Sequence, residues 1–367
     1  MNPDRLLRRF MRYVQCDSES GHEQAFCRLL EEEGAKLGIQ FWRDPVGEQA
    51  GSDGWNLGAS IPGTGTPVLF SCHMDTVAPG RGIQPVVADG VVRSSGDTVL
   101  GADDKSGIAA VMEALESLLE SGKPHRPVEL LFSVCEELGL KGAKYADYSR
   151  FASKEALVLD NDIPGLINHR APANVHLHIQ VQGRAAHAAV SHGEGVHALK
   201  AAVAAIAQIP CGAPDADTVM NVANFLAPGP TNVVPAQASF DMEIRSFVED
   251  KLQGYIQQVR QALETACGQY GASYTLEVER HSDVLDVPLD SPVLQQIQEI
   301  YRQMGVETRV ESTFGGCDAT WLCANGIRAL NTGTGMANVH GTGETIAIKD
   351  LETTTRMVEA LMAITQG

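Results

Sequence analysis

The sequence predicts an α/β protein that is interrupted by a smaller α+β domain. Short apolar runs at residues 67–72, 127–135 and 156–159 alternate with segments of helical periodicity, an order typical of layered α/β proteins. After about residue 172, polar and apolar residues alternate, as in antiparallel strands with one solvated face. The first pattern resumes after about residue 283. We therefore expect one domain from residues 1–172 and 284–367, and a second, inserted domain over residues 173–283.

Periodicity places the remaining elements, because apolar residues recur every three to four positions in helices and every two in half-buried strands. In the outer domain we expect helices at residues 4–14, 22–37, 106–120, 291–304, 317–325 and 349–365, with further strands at 56–61 and 307–311. In the inserted domain we expect strands at 174–183, 218–226, 237–246 and 273–281, and helices at 195–208 and 249–268.

Composition excludes several classes of function. The 367 residues include 28 Lys and Arg against 46 Asp and Glu, a net charge of −18. Such a chain is repelled by phosphate backbones and anionic membranes, so we expect neither nucleic-acid nor membrane partners. The sequence has no long apolar run and its first ten residues lack a signal-peptide core. With eight Cys and no CxxC pair, this predicts a cytoplasmic protein with reduced thiols.

Two polar motifs stand next to predicted elements of the outer domain. His73-Met74-Asp75 ends an apolar strand, where positions two apart point the same way. The Asp could orient a metal-binding His, or the two could form a purely structural pair. Asp103 and Asp104 come directly before a helix. One Asp would serve as a helix cap, but two in succession exceed what capping needs.

Three further candidates follow along the chain. Glu136 and Glu137 leave an apolar strand, and glycines after them allow the strand to break, so that both carboxylates could reach one site. One could bind a metal while the other acts on water, although an exposed loop pair is the plainer interpretation. Asp160 ends the next apolar run, and His340 lies far along the chain. Strand ends are where α/β folds bind ligands, and His with carboxylates but no Cys suits a catalytic metal.

In this order, the motifs closely resemble the di-zinc exopeptidases that include peptidase T, carboxypeptidase G and the aminoacylases. The likeness is greatest to peptidase T-like members, in the phrases Cys-His-Met-Asp-Thr-Val-Ala-Pro-Gly, Leu-Gly-Ala-Asp-Asp-Lys-Ser-Gly-Ile-Ala-Ala and Thr-Asn-Val-Val-Pro. It covers essentially the whole chain. The resemblance implies a phosphorylase/hydrolase-like mixed-sheet catalytic domain with an inserted α+β lid, which could also form a homodimer.

The resemblance also implies a role for each residue. One metal ion would be held by His73, Asp160 and Asp103, and a second by Asp103, Glu137 and His340. Asp75 would orient His73, and Glu136 would be the general base acting on a metal-bridging water. The bond between Asp103 and Asp104 would be cis. Two divalent ions balance three carboxylates and one hydroxide, so the implied ligand set is neutral. Zn²⁺ suits these ligands best, while Co²⁺ or Mn²⁺ would also fit.

The implied substrate contacts come from the lid and one loop. They are His187, Asn232, Arg245, Gly315 and Gly316. Arg suits a substrate carboxylate because its planar fork binds both oxygens. The chain departs from the family at His192, His197 and Cys317, positions that touch the substrate wall rather than the metal ligands.

Three functions are compatible with the sequence. The first is a metal-dependent aminopeptidase that hydrolyses the N-terminal bond of short peptides such as tripeptides. The second is an N-acyl-amino-acid amidohydrolase or a carboxypeptidase with the same di-metal site. The third is a binding protein without activity, which would be expected to have lost ligands. A pocket for a free α-amine should contain an acidic group, whereas an acyl group needs an apolar one.

Overall fold

The computed structural model describes residues 1–365. It divides into two compact units, one formed by residues 1–171 together with the chain from residue 285 onward, and one formed by Pro172–Val284. The α-helices are α1 (Pro3–Val14), α2 (Gln24–Lys36), α3 (Gly47–Ala50), α4 (Ala102–Ser121), α5 (Lys141–Tyr145), α6 (Ala198–Ile206), α7 (Glu249–Tyr270), α8 (Pro292–Met304), α9 (Ala319–Ala324) and α10 (Ile348–Met362).

The strands are mostly short, and they form three sheets. They are β1 (Trp42–Asp44), β2 (Asn56–Ile61), β3 (Val68–His73), β4 (Pro85–Ala88), β5 (Val91–Ser94), β6 (Val128–Ser133), β7 (Glu155–Asn161), β8 (Leu166–Ala171), β9 (Ala173–Gln182), β10 (Thr218–Leu226), β11 (Gln237–Ser246), β12 (Ser273–Ser282), β13 (Leu285–Asp286), β14 (Arg309–Ser312), β15 (Arg328–Gly333), β16 (Met336–Ala337) and β17 (Thr345–Ala347).

A mixed sheet forms the centre of the first unit, as the α/β pattern predicts. Its order is β1-β2-β6-β3-β7-β15-β8-β13, and β14 pairs with β8. The strands β6, β3, β7 and β15 are parallel neighbours. Every residue of β3 and β6 is buried, which explains their continuous apolar runs. Because these strands are parallel, their carboxyl ends meet at one edge of the sheet.

Helix α4 lies against this sheet and is buried along most of its length. Its residue Gly107 allows the close approach to the sheet, since a Cβ there would lie 2.9 Å from the sulfur of Cys72. Helices α1 and α10 pack on α4 and complete the core of this layer. The regular part of α4 begins after Asp104, because Asp103 and Asp104 have non-helical backbone angles.

The second unit is a four-stranded antiparallel sheet of order β10-β11-β9-β12. Alternate residues of β9 and β11 are buried, as their sequence pattern predicts. The buried face packs on α6 and α7 through an apolar core that includes Leu177, Phe240 and Leu263. The opposite face carries polar and charged side chains, His178 and Glu243 among them.

Two further features concern membranes and thiols. Within residues 1–365, no helix is long and apolar enough to cross a bilayer. All eight Cys side chains are free, and five of them are buried.

Candidate active site

The predicted site residues of the first unit meet at the carboxyl edge of its sheet. His73 is the last residue of β3, Glu136 and Glu137 follow β6, and Asp160 lies near the end of β7. The pairing register aligns His73 with Ser133, which brings the turn after β6 beside the imidazole. Asp103 reaches the same place from the start of α4. The parallel strand order is therefore what gathers residues that are far apart in sequence.

Asp103 lies at the centre of the cluster. Its Oδ1 is 2.9 Å from His73 Nε2, and its Oδ2 is 3.2 Å from His340 Nε2. His340 Nε2 is also 2.9 Å from Glu137 Oε1. His340 has a left-handed backbone conformation, with φ of 63° in the loop between β16 and β17. The peptide bond between Asp103 and Asp104 is cis.

Three groups of these side chains could each hold a metal ion, since their ligand atoms lie within 4.8 Å of one another. Two groups share Asp103. The groups are His73, Asp103 and Asp160; Asp103, Glu137 and His340; and His73, Glu136 and Glu137. The first two have the same membership as the ligand sets that the resemblance implies.

The buried carboxylates of the cluster favour the binding of cations. Burial raises the pKa of Glu136 and of Asp160 well above the usual range. The charge of Asp160 raises the pKa of Glu136 further, and the charge of Asp103 does the same for Asp160. Burial likewise raises the pKa of Glu137 to about 7. Asp103 is also buried, but its hydrogen bonds with His340 and His73 keep its pKa below the usual range. So many buried carboxylates are stable in ionised form only with cations between them.

Asp75 contacts both the imidazole and the turn that carries the two glutamates. His73 Nδ1 lies 3.0 Å from the carbonyl oxygen of Asp75 and 3.4 Å from its Oδ1. The carboxylate of Asp75 also accepts hydrogen bonds from the backbone N–H groups of Glu136 (2.9 Å) and Glu137 (3.2 Å). It therefore fixes the relative position of His73 and the turn.

The same turn is held by two residues that sequence reasoning missed. Glu23, at the start of α2, accepts a hydrogen bond from the N–H of Cys135 (3.0 Å), and Asn56 in β2 accepts one from the N–H of Val134 (3.1 Å). Cys135 has a φ of 50°, which a non-glycine residue rarely adopts. Side-chain oxygens thus accept every N–H from Val134 to Glu137, and this support holds the turn in its unusual shape.

Glu344 is a third residue without a signal in the sequence. Its buried carboxylate accepts hydrogen bonds from the N–H groups of Leu100 (2.7 Å), Gly101 (2.7 Å) and Asp103 (3.0 Å). It holds the loop before α4 and so positions Asp103.

A cavity of about 330 Å³ opens above the cluster. It is lined by Asp103, Glu136, Glu137, Asp160, Asn161, Asp162, Gly316, Met336, Val339 and His340. The cavity therefore combines candidate metal ligands, the candidate base and one of the two predicted loop glycines.

Comparison with known proteins assigns the chain to a family. The profile of the Peptidase family M20/M25/M40 matches residues 69–363. The chain belongs to the M20/M25/M40 peptidase family. It is similar to the crystal structure of aminopeptidase PepT from Bacillus cereus ATCC 10987, with 32% identity, a TM-score of 0.94, and coverage of 99% of this chain and 98% of the other.

Two other relatives of this M20/M25/M40 peptidase extend over its full length. A tripeptidase structure from Staphylococcus aureus is 28% identical, with a TM-score of 0.94 and coverage of 100% of this chain and 99% of the other. The uncharacterized protein YqjE of Bacillus subtilis (strain 168) is 33% identical over 99% of this chain and 98% of its own. The full-length match includes the inserted unit, and it identifies the protein as a metallopeptidase.

The other predicted contacts of this M20/M25/M40 peptidase lie in its second unit and in one loop. Within the second unit, His187 pairs with Val233, and the carbonyl of Asn232 accepts a hydrogen bond from Ala188 (2.9 Å). Arg245 in β11 forms an ion pair with Glu243 (2.7 Å). In the first unit, Gly315 follows Phe314, and its N–H donates to Thr313 Oγ1 (3.0 Å).

Proposed function

We propose that the protein is a metal-dependent exopeptidase that hydrolyses the N-terminal peptide bond of short peptides, with tripeptides as the first candidates. The observation that carries this proposal is a cluster of candidate metal ligands at one cavity, which Glu136 also lines. Asp103, Glu137, Asp160 and His340 line the cavity, and His73 is buried behind it, with its Nε2 2.9 Å from Asp103 Oδ1. The similarity to an aminopeptidase and a tripeptidase over the full length of the chain supports the proposal.

The proposed metal ions use two ligand sets. His73, Asp160 and Asp103 would hold one ion, and Asp103, Glu137 and His340 the other. Zn²⁺ suits His and carboxylate donors, and Co²⁺ or Mn²⁺ are alternatives. When bound, such ions would lower the pKa of a coordinated water and polarise the scissile carbonyl.

The protein's own groups then carry the proton. Glu136 would take a proton from the attacking water and pass it to the amine that leaves. Its buried position and raised pKa suit a carboxylate that must hold this proton for a time. Asp75 would hold His73 and the turn at Glu136 in a fixed relative position through the hydrogen bonds described above.

The substrate contacts are also proposals. We assign His187 to the carbonyl oxygen of the scissile bond, Asn232 and Arg245 to the substrate carboxylate, and Gly315 and Gly316 to the wall of the cavity. Arg245 suits a carboxylate because it can donate two parallel hydrogen bonds. The family resemblance supports these roles.

We further propose a cytoplasmic homodimer that forms through the inserted unit. The free thiols are typical of a reducing compartment. Strand β10 is an edge strand, and its side chains Phe225 and Leu226 are exposed. Such an edge can pair with a second copy. Light scattering after size-exclusion chromatography would report the mass of a dimer.

Hydrolysis of a small panel tests the activity. Chelator-treated protein would receive Zn²⁺, Co²⁺ or Mn²⁺ and then Ala-Ala-Ala, Ala-Ala or N-acetyl-alanine. We expect metal-dependent cleavage of the tripeptide. Glu136→Gln should lower kcat by roughly 10²- to 10⁴-fold with its metal content unchanged, because the general base is lost.

The exposed Glu48→Gln on α3 is the matched control and should be fully active. Cleavage of N-acetyl-alanine alone would reassign the protein to the aminoacylases. Absence of turnover with every metal would contradict the proposed function.

A further inference from the structure

The cavity contains one carboxylate to which none of the proposed roles applies. Five acidic side chains line it. Asp103, Glu137 and Asp160 are proposed metal ligands, and Glu136 is the proposed base. The fifth, Asp162, is exposed, and its carboxylate makes no hydrogen bond or ion pair with any residue among 1–365. Its negative charge is therefore available to a ligand in the cavity.

The backbone of Asp162 is fixed although its side chain is exposed. Its N–H donates to Asn161 Oδ1 (2.8 Å), and its carbonyl accepts from the N–H of Gly335 (2.9 Å). The next residue, Ile163, packs so closely on β15 that a Cβ at Gly333 would lie 2.2 Å from its backbone. These contacts fix the backbone of Asp162, which directly follows β7, the strand that contains Asp160.

The substrate of an aminopeptidase brings a positive charge to the same place. The α-nitrogen lies about 2.5 Å from the carbonyl carbon of its own residue, as backbone bond lengths and angles require. An ammonium group must therefore bind next to the reacting carbonyl. Three of the neighbouring carboxylates would be neutralised by metal ions, and Glu136 must stay free to accept a proton.

We propose that Asp162 binds the N-terminal ammonium of the peptide substrate and so selects free amines over acylated ones. This inference rests on the proposed exopeptidase function and names the residue that would make it an aminopeptidase. An acidic group at this point disfavours an acyl substrate, because an apolar acyl group would leave the carboxylate partly desolvated and without a partner. Asp162 is then a specificity-determining residue that takes no part in bond cleavage.

A matched pair of substrates tests the proposal. Ala-Ala-Ala and propionyl-Ala-Ala have the same shape, except that the second lacks the amine. The wild-type enzyme, loaded with the best metal from the panel, should favour Ala-Ala-Ala. Asp162→Asn should lower kcat/KM for Ala-Ala-Ala roughly ten- to hundredfold, mainly through KM, because one hydrogen bond between charged groups is lost. The value for propionyl-Ala-Ala should change less than about twofold.

Further variants separate charge recognition from structural damage. Asp162→Glu should recover part of the preference, and Asp97→Asn, an exposed carboxylate away from the cavity, should behave as wild type. Metal content would be measured for each protein. Where propionyl-Ala-Ala turns over too slowly, its inhibition constant replaces kcat/KM.

The outcomes separate a failure of the proposed role of Asp162 from a failure of the proposed exopeptidase function. Equal losses for both substrates in Asp162→Asn, or no loss for either, would overturn the role of Asp162 while wild-type cleavage of Ala-Ala-Ala upholds the exopeptidase. Equal wild-type activity on both substrates would also overturn it. A wild-type enzyme inactive on Ala-Ala-Ala with every metal would overturn the proposed function and this inference together.

Discussion

Asp318 shows how a single buried carboxylate can make stability depend on pH. Its side chain is buried, accepts a hydrogen bond from Ser133 and has a second oxygen without a hydrogen-bond partner among residues 1–365. Burial raises its pKa to about 6. In the unfolded chain an Asp has a pKa of about 3.9. Between these values the folded chain holds a proton that the unfolded chain has lost.

The sign of the effect follows from this difference. The contribution of Asp318 to the free energy of unfolding falls as pH rises from about 4 to about 6, and then stays low. We expect metal-free Asp318→Asn to be more stable than wild type at pH 8, by up to about 3 kcal/mol. The difference should shrink towards pH 4.5. Thermal unfolding followed by circular dichroism at both pH values measures it, with Asp97→Asn as control. A difference that does not change with pH would contradict the assignment.

Single residues also show what the sequence could predict. The convergence of His73, Asp103, Glu136 and Asp160 could be predicted because each stands beside an apolar strand or a helix start. Their chemical roles stay predictions. The contacts of Glu23, Asn56 and Glu344 could not be predicted. Their partners lie 112, 78 and 241 residues away, and a lone Glu or Asn in sequence is as consistent with a cap or a solvated surface.

At the scale of elements, the turn after β6 is where the fold contributes most to the site. Its N–H groups donate to side chains of β2, of the residue before α2 and of Asp75 after β3, which are separate parts of the chain. The turn therefore keeps its shape only while these elements stay packed. We therefore expect Glu23 to act as a positioning residue for Glu136.

Two variants of Glu23 test that role. Glu23→Ala removes the acceptor of the Cys135 N–H and should lower kcat by roughly tenfold or more, with a stability loss of about 1–3 kcal/mol, because a buried donor is left unpaired. Glu23→Gln keeps one acceptor oxygen and should recover most of kcat. Glu32→Ala, at an exposed position of α2, is the control.

The discriminating measurement is the division of the effect between kcat, KM and metal content. A positioning role predicts a fall in kcat with bound metal retained. If Glu23→Ala lost metal and stability but kept kcat per bound metal, Glu23 would be structural only.

Elements also differ in how well the sequence predicts them. Strands with one repeating pattern, such as β3, β6, β9 and β11, lie where periodicity places them. Strands β8 and β15 belong to the central sheet, yet they were not predicted. Both mix buried polar residues with apolar ones, Asn331 and Thr332 in β15 for example, so neither alternation nor an apolar run marks them.

At the scale of the whole molecule, each unit has its own apolar core. All five proposed metal ligands belong to the first unit, and the second contributes none of them. A ligand that binds only the folded form stabilises the cooperative unit that contains its site, by about 2.7 kcal/mol at a free concentration one hundred times Kd. With separate cores, we expect the two units to unfold separately. Metal ions should therefore stabilise the first unit selectively.

Removal of metal from the full chain tests this coupling. After treatment with a chelator, hydrogen exchange should become faster in β3, β6, β7 and α4, because their ends carry the ligands and lose their cations. Amides in β9 to β12, α6 and α7 should keep their protection, and added Zn²⁺ should restore the first group. Glu137→Gln lacks one ligand, so its response to the chelator should be smaller. The second unit contributes no proposed metal ligand. Equal loss of protection in both units would therefore contradict selective stabilisation and show that the stability of the second unit also depends on the metal centre.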